Sequence, residues 1–183
     1  MILFRSQLRR RLFGYYFTNP TAEHYLRELA ELLRTDPANL SRELASLTRQ
    51  RVFVSRTRGR QKYFRLNRNH PLYNEFRGIV FKTVGVAGQL RDTFGRLPGI
   101  TNAYLYGSFA RKTDDPASDI DVLLVGNIPT ERVEKKIRPL ERKLRREINY
   151  TLMTPAEFEK RREKKDAFLE DVWRHARIDL LGP

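Results

Sequence analysis

Gly107-Ser108-Phe109-Ala110-Arg111, followed after a short polar spacer by Asp119-Ile120-Asp121, is the stretch on which the fold of the second half turns. Ala103 to Tyr106 just before it reads as a short buried strand running into Gly107. There the missing side chain lets a phosphate approach the backbone. Ser108 opens a short helix, so its hydroxyl and the first N–H groups can hold a triphosphate. Ile120 to Val125 is the next strand. Asp119 and Asp121 stand at i and i+2, so both carboxylates project from one face. Two carboxylates that close repel unless a cation lies between them. Mg2+ takes one or two carboxylates together with substrate phosphates, and a metal pair would stabilise the attacking and leaving oxygens.

Such spacing suits metal-assisted transfer of a nucleotidyl group. Working outward, Pro129 to Arg146 is a highly charged helix whose Lys/Arg and Glu at i, i+4 spacing read as a solvated face. Ile148 to Met153 is a third strand, and Thr154-Pro155-Ala156-Glu157 caps a further helix. Phe168, Val172 and Trp173 mark another helix, with Trp173 expected in the core, and Ile178 to Leu181 a last short strand. The Gly-Ser turn, spacer and Asp-x-Asp carried by Gly107, Ser108, Asp119 and Asp121 resemble the minimal nucleotidyltransferases of the DNA polymerase β superfamily, over residues 97–157. The resemblance implies a mixed sheet flanked by helices, Mg2+, and a nucleoside triphosphate as ligand or substrate. It puts Gly107, Ser108 and Arg111 on phosphates and makes Asp119 and Asp121 the metal-binding, catalytic pair.

The same resemblance implies a third carboxylate on the strand after the long helix, and that position falls on Asn149. An amide can ligate weakly, but it cannot take a proton from an attacking hydroxyl. Glu147, two residues earlier and about 6–7 Å along the strand, could substitute only if the strand bulges or shifts. The expectation is Mg-nucleotide binding with weak or no turnover. The alternative is an active transferase acting on a protein, small molecule or nucleic acid, including an antitoxin-type action on a helical toxin partner.

The first half reads differently. Ser6 to Tyr16 forms a first helix with Leu8, Leu12 and Phe13 on one face. Tyr25, Leu26, Leu29, Ala30 and Leu33 then repeat at helical spacing. Asp36-Pro37, an N-cap with Pro at the first helical position, starts the next helix through Leu40, Leu44 and Leu47 to Gln50. Two helices joined by so short a turn make the helix-turn-helix pattern. Val52 to Val54 and Tyr63 to Leu66 are strand-like and flank a basic hairpin tip, Arg56 to Lys62. Residues 21–66 resemble the winged-helix domains of arsenic-repressor-type transcription regulators. This implies that the Pro37–Gln50 helix enters the major groove of double-stranded DNA, with Asn39, Ser41, Arg42 and Ser46 toward the bases. Arg49, Arg56, Arg58, Arg60 and Lys62 would hold phosphates, and a homodimer would read two half-sites.

Charge agrees with that division. Residues 1–82 carry 17 Lys/Arg against 6 Asp/Glu, whereas residues 83–183 carry 19 against 16, so the polyanion partner is expected of the first half. The chain has no cysteine, which excludes disulfides, thiolate zinc sites and cysteine nucleophiles. Its apolar runs fall short of a membrane span, and its first residues are too basic for a signal peptide, so a cytoplasmic location is expected. His24, His70 and His175 have no metal spacing. Taken together, the sequence predicts an α+β chain of two domains: a winged helix over 1–70, linking helices over 71–96, and a nucleotidyltransferase-like domain over 97–183.

Overall fold

The computed structural model describes Phe4, residues 6–115 and residues 117–182. The two chain ends of the expected segments, Met1 and Pro183, lie outside the described residues. The chain divides into two compact units that meet at Val86 and Ala87. The segment expected as a linker over 71–96 is therefore shared, its first helix belonging to one unit and its second to the other. Each unit is a mixture of helix and sheet, and no described helix is long and apolar enough to cross a membrane.

The first unit runs α1 (Gln7–Thr18), β1 (His24–Tyr25), α2 (Leu26–Leu32), α3 (Pro37–Arg49), β2 (Phe53–Arg58), β3 (Gln61–Leu66) and α4 (Tyr73–Thr83). Ser6 starts α1 by accepting the Arg9 N–H at 3.1 Å, and Leu12, Phe13, Tyr16 and Phe17 form its buried stripe. The Tyr16 hydroxyl donates to the Phe64 carbonyl at 2.9 Å; burial raises its pKa, so the phenol stays protonated. Asp36 caps α3 by accepting the Asn39 N–H at 2.8 Å. Leu40, Leu44 and Leu47 are almost fully buried, and truncating any one to alanine would cost about 2–5 kcal/mol. α1 passes close to the end of α4: a Cβ added to Gly14 would lie 2.9 Å from the Val84 carbonyl oxygen.

The three strands of this unit lie in the order β1-β3-β2, all antiparallel. β1 is absent from the sequence reading because two residues cannot display an alternation; His24 and Tyr25 are strand only by pairing with Phe64 and Tyr63. The hairpin also differs from expectation. β2 and β3 remain paired out to Arg58 and Gln61, leaving Gly59 and Arg60 as the turn, with Gly59 at φ +58°. Arg56, Arg58 and Lys62 thus stand on strands rather than in a loop.

The second unit runs α5 (Val86–Phe94), β4 (Ile100–Tyr106), α6 (Gly107–Arg111), β5 (Ile120–Gly126), α7 (Thr130–Leu144), β6 (Ile148–Met153), α8 (Pro155–Glu163), α9 (Ala167–Arg174) and β7 (Ile178–Asp179). Its sheet has the order β6-β5-β4-β7. β4 is antiparallel to β5 and β7, while β5 and β6 are parallel and joined by the α7 crossover. α7 is amphipathic, with Val133, Ile137, Leu140 and Leu144 buried. On one sheet face Ala103, Leu105, Val122, Leu124 and Ile148 are buried. On the other, Leu123, Val125 and Met153 pack with Phe158 and Leu169 of α8 and α9. Asp121 lies at one end of this second face, in register with Tyr106 and Asn149.

Candidate active site

β4 delivers the chain to Gly107, which adopts φ +69°, a conformation that favours glycine. A Cβ at that position would overlap the Asp121 carboxylate. The glycine is therefore required by close approach as well as by backbone conformation. α6 follows for only five residues, from Gly107 to Arg111, and stops at Lys112 in the left-handed region. Ser108 is half-buried at its start, and Arg111 is exposed at its end.

Asp121 is the second residue of β5, opposite Tyr106 on one side and Asn149 on the other. Burial, and then the neighbouring Asp119, push its pKa up, opposed by Arg111. Arg111 thus acts on Asp121 as well as being available to a phosphate. Tyr106 is also raised, first by burial and then by Asp121. Asp119 lies just outside β5, where it accepts a hydrogen bond from the Asn149 side-chain amide at 3.2 Å. Asp119, Asp121 and Asn149 thus form one polar group at the strand ends. Glu147 is exposed and is tied to β5 through its backbone, its carbonyl accepting the Ile120 N–H at 2.9 Å. Among the described residues no set of three His, Asp or Glu side chains is gathered tightly enough to hold a metal.

Two crowded hard oxygen donors next to a glycine cradle fit one Mg2+ completed by substrate phosphates. A cation there would offset the burial and the repulsion by Asp119 that together raise Asp121. Asp119 and Asp121 would hold it, whereas Asn149 turns its amide NH2 and not its oxygen toward Asp119.

Arg146 was not anticipated. It is 7% exposed and donates to the carbonyls of Asp115 at 2.9 Å and Ser118 at 3.2 Å, with its guanidinium 5.8 Å from the centre of the Phe109 ring. It thereby joins the end of α7 to the loop that carries Asp119. That loop is further closed by Asp115, which accepts the Ala117 N–H at 2.8 Å and the Ser118 hydroxyl at 3.1 Å. These bonds, the Ala117 N–H first, hold the Asp115 carboxyl below its ordinary pKa. In the sequence Arg146 is one arginine in a basic run (Arg142, Lys143, Arg145, Arg146), and nothing local distinguishes it.

The expected DNA-contacting residues all lie in the first unit. Asn39, Ser41, Arg42 and Arg49 are exposed on α3, while Ser46 is half-buried. Arg42 donates to the Asn39 side-chain oxygen, and Ser46 accepts from Gln50 at 3.1 Å. On the hairpin, Arg56 pairs with Glu23, Arg58 lies 5.6 Å above the Tyr63 ring and Lys62 5.6 Å above the Phe64 ring. Arg60 is exposed at the turn. Glu23 is held below its usual pKa by the Arg56 hydrogen bond.

Residues 87–174 match the nucleotidyltransferase domain family. The chain thus carries a nucleotidyltransferase domain over these residues, and the match takes in α5 from Ala87 onward. No curated protein matches the chain. Among solved structures, the chain is similar to a mutant of the toxin-antitoxin pair MntA-HpeT, with 16% identity over 52% of this chain and 68% of that one and a TM-score of 0.37. A toxin-antitoxin complex with AMP-PNP gives 18% identity, 52% and 68% coverage and a TM-score of 0.36. A protein assigned as a nucleotidyltransferase from Sulfolobus solfataricus gives 24% identity, 40% and 68% coverage and a TM-score of 0.27.

Proposed function

We propose that the second unit binds a nucleoside triphosphate with Mg2+ and turns it over weakly or not at all, while the first unit is a winged helix that binds double-stranded DNA as a homodimer and regulates transcription. The observation that carries the nucleotide reading is the Asn149 amide donating to Asp119. Where a base would be needed beside the paired aspartates, the chain supplies a group that cannot accept a proton at neutral pH. Mg2+ bound there would neutralise triphosphate charge. Gly107 leaves room for the phosphates, Ser108 and Arg111 hold them, and Asp119 and Asp121 keep the cation. Calorimetric titration of the full chain with ATP, GTP, CTP and UTP in Mg2+ tests this; the reading requires saturable heat from at least one, abolished in Asp119→Ala/Asp121→Ala.

The DNA reading is supported by the excess of Lys/Arg in the first half and by the exposed Asn39, Ser41, Arg42, Arg49 and Arg60 on α3 and the hairpin turn. If each protomer makes about four phosphate contacts, a dimer gives a log–log salt slope of roughly −7. A slope near zero rejects it.

A second reading, active transfer of a nucleotidyl group to a protein, small molecule or nucleic acid, or to a helical toxin partner, is favoured by the intact pair Asp119 and Asp121 beside Gly107. Label transfer from radioactive NTPs separates the two. Signal lost in Asp119→Ala/Asp121→Ala supports transfer, and equal signal in both proteins rejects it.

A further inference from the structure

The second unit carries a cleft apart from the paired aspartates, of about 640 Å³, lined by residues of β4, α8, α9 and the segment leading into β7. Its floor is aromatic: the Trp173 ring lies 5.3 Å from Tyr104 and 5.6 Å from Phe158, centre to centre. Two guanidinium groups stand over that floor. Arg177 lies 4.6 Å above the indole centre and is held there by donating to the Trp173 carbonyl at 3.2 Å. Arg162 lies 5.6 Å from the centre of the Phe158 ring and 5.9 Å from that of Trp173. His175 completes the rim, donating from Nδ1 to the Asp171 carbonyl at 2.9 Å. Asp179 also lines the cleft, but its Oδ1 already accepts the N–H groups of Leu181 at 2.9 Å and Gly182 at 2.7 Å.

We propose that this cleft binds a single-stranded polynucleotide, with one base stacked on the outer face of the Arg177 guanidinium and an adjacent phosphate on Arg162. Arg177 is exposed, so its side chain is accessible to a ligand from solvent. A planar cation backed by an aromatic ring is a platform on which any base stacks, and Arg162 and Arg177 attract the backbone that carries it. An acidic peptide would pair edge-on with the two guanidinium groups but would leave the rings and the stacking face of Arg177 unused. The cleft also lies along the face that carries the paired aspartates. Tyr104 is two residues before Tyr106, which pairs with Asp121, a separation of about 6–7 Å along the strand. A strand lying in the cleft can therefore extend toward Asp119 and Asp121.

Trp173 is the chain's single tryptophan, so its fluorescence reports this cleft and not the basic first half. The full chain is titrated without Mg2+ with a short oligoadenylate, a duplex DNA of equal charge, AMP, and a polyglutamate peptide of equal charge. The proposal requires saturable quenching by the oligoadenylate at affinity at least about tenfold above the other three. Arg162→Ala should weaken it through loss of the phosphate contact. Arg177→Lys, which keeps the charge but not the plane, should weaken it several-fold. Quenching by polyglutamate at equal affinity would make the cleft a peptide site and overturn the proposal, as would an unquenched tryptophan or an unchanged Kd in Arg177→Lys. Repeating the titration in Asp119→Ala/Asp121→Ala keeps the two sites apart: oligoadenylate binding persists there even if Mg-nucleotide binding is absent from the native protein.

Discussion

Asn149 and Asp119, thirty residues apart in sequence, meet through an amide–carboxylate hydrogen bond of 3.2 Å. A carboxylate only accepts, so the bond fixes the amide with its NH2 toward Asp119. Replacing this residue by aspartate converts a donor into a third negative charge. Asn149→Asp should lower the melting temperature in EDTA, because three carboxylates then share one end of the sheet, and Mg2+ should restore it. The same variant should bind Mg2+ more tightly and raise nucleotidyl transfer above the native level. Unchanged thermal denaturation in EDTA would show that the three side chains do not interact.

Asp121 gives a pH dependence of definite sign. Burial and Asp119 raise its pKa in the folded protein, so the folded state holds this proton more tightly than the unfolded chain does. Its unfavourable contribution is absent below the ordinary carboxylate pKa, grows as pH rises, and is complete above the raised folded value. Asp121→Asn should therefore be more stable than the native protein at neutral pH without metal, and the gain should vanish on acidification. Denaturant midpoints measured across that range decide it.

Gly107→Ala should destabilise the second unit by at least about 1–2 kcal/mol from the left-handed backbone alone. The overlap with Asp121 adds displacement of the carboxylate. The variant should lose Mg-nucleotide binding even at temperatures where circular dichroism shows it folded.

Arg146 positions the Asp119 loop, and its removal leaves two carbonyls without this donor. Arg146→Met should cost about 1–3 kcal/mol and weaken Mg-nucleotide affinity. Arg146→Lys should recover part of both, since one ammonium can reach one carbonyl. A loss of stability with affinity unchanged would assign Arg146 a purely structural part.

On the hairpin, Arg56 is engaged by Glu23 whereas Arg60 stands exposed at the turn. If the hairpin holds phosphates, Arg60→Ala should weaken DNA binding and reduce the salt slope by about one. Arg56→Ala should do less, and Glu23→Gln should strengthen binding by releasing Arg56. Fluorescence anisotropy over a salt series measures all three.

By itself the sequence determined the local elements and the chemistry-bearing turn. Caps at Asp36 and Thr154, leucines spaced along α3, and the Gly-Ser turn before Asp119 and Asp121 are short-range signals, because helix capping and side-chain alternation act over a few residues. Tertiary structure alone decided the two-residue strand β1, the assignment of α4 and α5 to different units, and the neighbours of each ionisable group. Arg146 became a buried loop clamp, Arg56 a partner of Glu23, and Trp173 the floor of a cationic cleft. Such pairings depend on which distant strands and helices are brought together, and hydrogen bonding and burial are set by that proximity and not by sequence spacing.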